Sequence, residues 1–328
     1  MQDLKYCRVA TAGEALIDMV LREDGCYQPC LGGAVYNLTR ALALQGVETL
    51  YLNPLSRDRL GRLLAAGLEA AAVRLAQPEP VAEPTALAMV AVDAAGQPDY
   101  AFYREGVADR AVTAQQMTQD CARHAPEIVC TGALALDPRD ARAYLPWLVA
   151  QRLAGRMVVV DVNMRPSVMG DPDAYRSHVL ATIQHAHVIK ASDEDLQHLG
   201  IAGADPIDQA RSLLTMTGAN WLALTRGADG ASLITRHGDS YHHRESRPLQ
   251  VVDTVGAGDC FLAGLIVRWL ELALPQDWGR AATDAAHAHA LLAHAVASAS
   301  INVQRQGCQP PGIDEVRDWL APPHAGRP

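Results

Sequence analysis

Lysine is almost missing from this sequence: Lys5 and Lys190 are the only two in 328 residues, and scattered arginines supply the rest of the positive charge. With 28 basic against 37 acidic residues and a formal net charge of −9, no basic tract is available to follow a nucleic acid backbone or an anionic membrane surface. No apolar run is long enough to span a bilayer, and residues 1–8 carry Asp3, Lys5 and Arg8 without an apolar signal region behind them. A soluble, cytoplasmic protein with neither nucleic acid nor membrane as partner is therefore expected. Aromatic residues are scarce too, at 5% against 49% apolar content, so the core must be mostly Ala, Leu and Val, which suits helices packed on a sheet. The seven cysteines are odd in number and never form a CxxC pair, which speaks against a disulfide framework or a zinc site. Cys26 and Cys30 are close in sequence, but two further ligands are lacking nearby.

What is present is a rhythm of short apolar runs alternating with longer amphipathic ones. Residues 8–12 and 49–52 read as strands, and 33–44 and 60–72 as helices. Residues 128–131, 157–162, 188–190 and 221–225 read as buried strands, each followed by a helical stretch, which predicts a mainly parallel sheet with helices on both faces. Two segments break the rhythm. Residues 15–31 and about 83–107 alternate like strands, with turn signals such as Asp93-Ala94-Ala95-Gly96 and no helix between. They are expected to pair as a small β-sheet, a lid over the carboxyl edge where such folds bind ligands. The whole of 1–328 reads as one domain with that lid, ending in a short helix after Pro310 and a Pro/Gly tail.

The sharpest chemical signal is Asp253-Thr254-Val255-Gly256-Ala257-Gly258-Asp259, which runs into the apolar helix starting Cys260-Phe261-Leu262. Small residues let the backbone approach an anion, and the N–H groups of residues 256–258 at a helix N-terminus would converge on a γ-phosphate. A carboxylate at the mouth of that cradle, Asp259, can accept the proton of an attacking hydroxyl. A plainer reading makes Asp259 a helix cap and the glycines a turn. There is no GxxxxGK[ST] sequence, and the GxG here continues to Phe261 where a dinucleotide fingerprint needs glycine.

Together these residues resemble the ribokinase-like (phosphofructokinase-B type) carbohydrate kinases, the fructokinase branch in particular. The likeness rests on residues 253–261 followed by Gly264, and on Gly32-Gly33-Ala34-Val35-Tyr36-Asn37 leading into a helix. It implies an α/β, Rossmann-type mainly parallel sheet with a β-lid, a sugar under the lid, and ATP with Mg²⁺ along the sheet edge. By position, Asp18 would hydrogen-bond sugar hydroxyls, and Gly32, Gly33 and Asn37 match the sugar-binding turn. The two glycines admit a polar ligand, and an amide both donates to and accepts from a hydroxyl. Tyr103 and Arg104 resemble the lid segment closing over substrate, and Asn163 and Arg165 a strand-end motif reaching sugar or phosphates. A surface ion pair is the plainer reading for Arg104.

On the nucleotide side, Lys190 and Ser192 open a segment where the family commonly has Asn-x-x-Glu. The matching residues here are Ser192 and Asp195, the latter a Mg²⁺ candidate with a shorter carboxylate, and both fit a helix cap equally well. Thr225, Gly227 and Gly230 resemble the nucleotide loop, Asn302 the adenine segment, and Cys308 stands where alanine is usual. Asp253 corresponds to a residue near a monovalent-cation site, so potassium activation is expected. Lid strands in this family often supply a dimer interface, which implies a homodimer. His287 and His294 share one helical stripe, but metal binding would need a third ligand, so packed histidines are expected. Fructose is the expected sugar. The alternatives are a 2-keto-3-deoxygluconate kinase, a ribokinase or other sugar or nucleoside kinase, and, more remotely, a non-catalytic sensor on the same fold.

Overall fold

The structure, a computed structural model, describes residues 6–22, 24–92, 98–166, 169–272 and 284–321. The Asp93–Gly96 turn signal and the tail from residue 322 lie outside the described residues. In chain order the strands are β1 (Val9–Thr11), β2 (Leu16–Leu21), β3 (Tyr27–Gly32), β4 (Thr49–Tyr51), β5 (Arg74–Leu75), β6 (Ala86–Val92) and β7 (Pro98–Tyr103). There follow β8 (Ile128–Gly132), β9 (Met157–Asp161), β10 (Val188–Ser192), β11 (Trp221–Thr225), β12 (Ala231–Thr235) and β13 (Ser240–His243). Nine of them form one sheet in the order β13-β12-β11-β10-β9-β8-β1-β4-β5, and four form a second in the order β3-β2-β6-β7.

From β11 to β5 every pairing in the large sheet is parallel. Such strands are covered on both faces, and β9, Met-Val-Val-Val-Asp, is buried throughout. Its alternate side chains divide between two cores. Val158 and Val160 pack in one with Trp147, Tyr175 and Leu213. Met157 and Val159 join Phe261, Leu265 and Leu292 in the other. The connecting helices begin where the sequence supplies a cap: Asp58, Asp171 and Asp205 each accept from first-turn N–H groups of Arg59–Ala70, Pro172–Ile183 and Pro206–Met216. Proline at the first position helps the last two.

One connection departs from the expected pattern. No α-helix follows β11; a single 3-10 turn, Gly227–Asp229, with φ of 50° at Gly227 and 83° at Gly230, reverses the chain, and β12 and β13 add antiparallel strands to the edge. The stretch 226–230 is too short for a crossover helix, and two left-handed glycines fit a reversal instead. Both glycines predicted for a nucleotide loop thus shape this hairpin, where a Cβ on Gly230 would come within 2.3 Å of the His243 carbonyl oxygen.

The excursions at 15–31 and 83–107 do pair, through parallel β2 and β6. A third core of Ile17, Val35, Tyr36, Leu64 and Leu68 ties the base of this lid to helices Ala34–Leu44 and Arg59–Ala70. Val20, Leu21, Tyr27 and Tyr103 remain exposed on the lid strands. All seven cysteines are free. His294 is packed and neutral, its pKa lowered to about 4 by burial, with Nε2 2.9 Å from Gln45 Oε1. Among the described residues no helix is long and apolar enough to cross a membrane.

Helices Ala257–Glu271 and Ala285–Asn302 cross at Gly264, where a Cβ would stand 3.0 Å from both Ala295 Cα and Ser298 Cβ. Gly264→Val is expected to lower stability by about 1–3 kcal/mol through overpacking, read as an earlier midpoint in urea unfolding. An unchanged midpoint would show that the crossing has slack.

Candidate active site

Successive strands of the large sheet are added first to one side of β1, as β4 and β5, and then to the other, as β8 to β13. Open α/β sheets bind ligands at the carboxyl ends of strands beside such a switch. A cleft of about 650 Å³ lies there, lined by Glu14 and Asp18 after β1, Asn163 to Pro166 after β9, Lys190 to Asp195 around the end of β10, Thr225 and residues 253–259. Tyr100 and Phe102 of β7 reach it from the lid.

Helix Ala257–Glu271 starts at Gly256, whose φ of 75° is left-handed and whose cap position has no side-chain hydrogen bond. Asp259 therefore does not cap its own helix. Its Oδ2 instead accepts from Nδ2 of Asn37 at 3.0 Å, across the cleft floor. The Ala257 N–H is turned back onto the Thr254 carbonyl at 3.2 Å, which leaves the N–H groups of Gly258 and Asp259 to serve an anion. Gly256 is required sterically, since a Cβ there would lie 2.2 Å from Cys308 Sγ at a φ of 75°, while one on Gly258 would crowd the tip of Lys190, 2.8 Å from its Nζ.

Lys190, buried in the middle of β10, pairs with Asp161 at 3.0 Å. Burial pulls its pKa down, but the carboxylates of Asp161, Asp195 and Asp259 outweigh that and hold it above the ordinary lysine value. Burial and then the Asp161 charge push Asp259 up to about 7, against the Asn37 hydrogen bond and the cations Lys190 and Arg165. Asp18 is raised to about 6 by burial, opposed by Arg165. Gly32 makes room for it, since a Cβ there would stand 2.0 Å from Asp18 Oδ2.

Asp259, Gly256, Ala257, Gly258, Asp18, Gly33, Asn37, Asn163, Arg165, Lys190, Ser192, Asp195, Thr225 and Asp253 are thus brought to one cleft. Others are not. Tyr103 points away because neighbours on a strand alternate: Tyr100 and Phe102, stacked with ring centroids 5.8 Å apart, take the inner face. Arg104 is buried beneath the lid root among Asp109, Asp137 and Asp140 at 3.6–4.0 Å. Neither reading, substrate ligand or solvated surface pair, describes that position. Asn302 braces two loops, donating to the Val255 carbonyl at 2.8 Å and accepting from Gln309 N at 2.9 Å. Asp253 does likewise, accepting from Val255 N and Gly307 N at 2.9 and 2.8 Å. Each of its carboxylate oxygens is thus engaged in bridging the two loops.

Ser192 and Asp195 form the capping box of helix Asp193–His198, and the other Asp195 oxygen accepts from Met164 N at 2.7 Å. Among the described residues no three His, Cys, Asp or Glu side chains cluster to hold a metal. Glu194 and Asp195 are the carboxylates at this end of the cleft, and a hard cation carried on phosphates needs only one or two such ligands. Sequence reasoning does not single out Glu14, Asp161 or Tyr100. An acid at the end of a central strand marks the first two, and period-two alternation with Phe102 marks the third.

A model of the pfkB family of carbohydrate kinases matches residues 8–315. A fructokinase of Rhizobium leguminosarum bv. trifolii is 32% identical over 265 residues, 79% of this chain and 78% of that one. Aminoimidazole riboside kinase of Salmonella typhimurium is 30% identical over 295 residues, covering 89% and 86%. Among solved structures, a Xylella fastidiosa fructokinase with bound ATP, 25% identical, matches with a TM-score of 0.81 over 95% of this chain and 97% of that one. Aminoimidazole riboside kinase of Salmonella enterica, complexed with aminoimidazole riboside and an ATP analogue, is 26% identical with a TM-score of 0.76, covering 96% and 100%.

Because the folded-state pKa of Asp259 is raised from 3.8 to about 7, ionising it costs stability. The cost is absent below pH 3.8, grows by about 1.4 kcal/mol per pH unit between the two values, and is complete above about pH 7. Asp259→Asn is therefore expected to melt several degrees higher than the parent at about pH 8, the gap closing toward about pH 4. A gap that does not change with pH in calorimetry would contradict the assignment.

Proposed function

The chain belongs to the pfkB family of carbohydrate kinases, and from that premise we propose that it transfers the γ-phosphoryl group of ATP to a hydroxyl of fructose with Asp259 as base. That it is an ATP-dependent sugar kinase, a phosphotransferase with an alcohol acceptor, follows from the family. The observation that carries the assignment of the base is the Asn37–Asp259 bond, which sets a carboxylate of raised basicity where the sugar side and the glycine turn meet. Asp259 takes the hydroxyl proton as the oxygen attacks the γ-phosphorus. The new P–O bond forms as the bond to the bridging oxygen breaks, and ADP leaves with that electron pair. The N–H groups at the start of helix Ala257–Glu271, with Lys190, face the charge that redistributes among the phosphoryl oxygens. Mg²⁺, held by the phosphates and by Glu194 or Asp195, would neutralise phosphate charge.

Two features favour a neutral sugar. Asp18 lines the cleft and would repel an acid substrate, and of the two arginines that a 2-keto-3-deoxygluconate kinase could use to bind a carboxylate, Arg104 is committed to three aspartates while Arg165, in the cleft, already acts on Asp18. Similarity to both a fructokinase and a riboside kinase keeps ribosides in the acceptor panel. A lid-to-lid homodimer belongs to the same reading, since Val20, Leu21, Tyr27 and Tyr103 leave apolar surface on the lid strands. A monomeric mass by light scattering at assay concentration would remove that part.

The test is ADP release with ATP and Mg²⁺ over fructose, ribose, aminoimidazole riboside and 2-keto-3-deoxygluconate. Fructose is expected to give the highest kcat/KM, and another preferred acceptor would overturn the sugar assignment. Asp259→Asn should lower kcat by about a hundredfold or more, with sugar and ATP binding retained; unchanged turnover would end the base assignment. Equal rates in potassium and sodium chloride would remove the expected cation activation.

A further inference from the structure

The helix that carries Asn37 begins without a capping side chain of its own. Gly33 occupies the cap position, so the first-turn N–H groups that Ser, Thr or Asp would satisfy need acceptors from elsewhere. Glu14 supplies two of them. Its Oε1 accepts from Ala34 N at 3.0 Å, and its main-chain carbonyl accepts from Tyr36 N at 3.2 Å. The approach excludes any side chain on the cap residue: Gly33 has a φ of 102°, and a Cβ there would stand 2.7 Å from the Glu14 carbonyl oxygen. Glu14 is 2% exposed, and its Oε2 is buried without a hydrogen-bond partner. Arg104 and Asp109, at the lid root, are the charged groups that act on it most strongly, the first favouring its ionised form and the second opposing it.

The geometry points to Glu14 as a positioning residue for phosphoryl transfer: capping helix Ala34–Leu44 from outside, it fixes Asn37 against Asp259 and so sets how readily that carboxylate takes the proton. The inference rests on the reading of Asp259 as base. Asn37 lies one turn beyond Ala34, so a loosened first turn moves its amide directly. The Asn37 bond lowers the pKa of Asp259, as do Lys190 from β10 and Arg165 from the loop after β9, while burial and Asp161 raise it. Losing Asn37 leaves the raising influences less opposed, so a higher pH is needed to ionise the base. Arg104 gains a part as well: outside the cleft, it is the buried cation beside the residue that organises it.

The measurement is the pH profile of kcat/KM for fructose, with KM for ATP and the melting temperature, on the full chain. Glu14→Ala is expected to move the acidic limb upward by about half a pH unit or more and to lower turnover at about pH 7 by about tenfold or more, with KM for ATP unchanged. Asn37→Ala should move the limb in the same direction. Glu14→Gln, which keeps an oxygen acceptor, is expected to recover the limb and most of the turnover. A folded Glu14→Ala with the parent limb and turnover would overturn the proposal, as would a Gln variant as impaired as Ala. If Glu14→Ala does not fold, Glu14→Asp, which keeps the charge but withdraws the acceptor by one carbon, should shift the limb alike; an unshifted limb there overturns the proposal too. Asp259→Asn separates the two ideas: full activity in that variant removes the base assignment, whereas its loss together with an unmoved limb in the Glu14 variants removes only the positioning role.

Discussion

A single hydrogen bond, Asn37 Nδ2 to Asp259 Oδ2, joins residues 222 positions apart in a buried environment, and the arrangement of the cleft depends on it. It links a helix in the first part of the chain to the helix that opens on the glycine turn. Each partner is positioned by features that would otherwise look incidental. Asn37 is held by a helix whose cap is a glycine backed by Glu14, and Asp259 by a helix that must be bare at Gly256 to admit Cys308, with Lys190 close against Gly258. A buried amide and carboxylate left unpaired would each cost free energy. Pairing them fixes the start of helix Ala34–Leu44 against the glycine turn.

The electrostatics of the cleft follow from burial more than from pairing. Glu14, Asp18 and Asp259 all have raised pKa values with burial as the leading cause, so the cleft near neutral pH is less negative than its composition suggests. That state suits a neutral polyol and a base that must hold a proton transiently. Lys190 is the counterweight. One of two lysines in the chain, it keeps its charge only because the carboxylates of Asp161, Asp195 and Asp259 surround it. A buried ammonium of this kind costs stability unless paired, and its partner Asp161 ends a strand that is buried along its whole length.

Much of the architecture is legible in the amino acids. The βαβ rhythm, the two lid excursions and the glycine turn are local patterns, because hydrophobic period and turn chemistry act over a few residues. Where expectation and structure part, the reason is local in two places and long-range in the others. The hairpin after β11 stands in place of a helix because residues 226–230, with left-handed glycines at 227 and 230, reverse the chain at once. Tyr103 resembles a lid contact, yet strand alternation turns it outward. Arg104 suits a substrate-facing or solvated position on local grounds, but Asp109, Asp137 and Asp140 converge on it from segments later in the chain. The capping box of Ser192 and Asp195 is visible as a local motif, and in the folded chain it engages the same carboxylate that is the metal candidate.

Family, sheet-and-helix order and the residue types of the cleft reside in short motifs and periodicities, so the amino acids alone specify them. Which of those residues meet depends on the packed chain. The Gly256-Ala257-Gly258-Asp259 turn is compatible with a plain helix cap, and that ambiguity ends when Asn37 arrives from far along the chain to take the carboxylate. Glu14 shows the same limit. Its place after Gly13 marks a strand end, but its service as cap to a helix starting at Ala34 exists only once β1 and that helix are packed together, because hydrogen bonds and burial depend on proximity in space rather than on spacing along the chain.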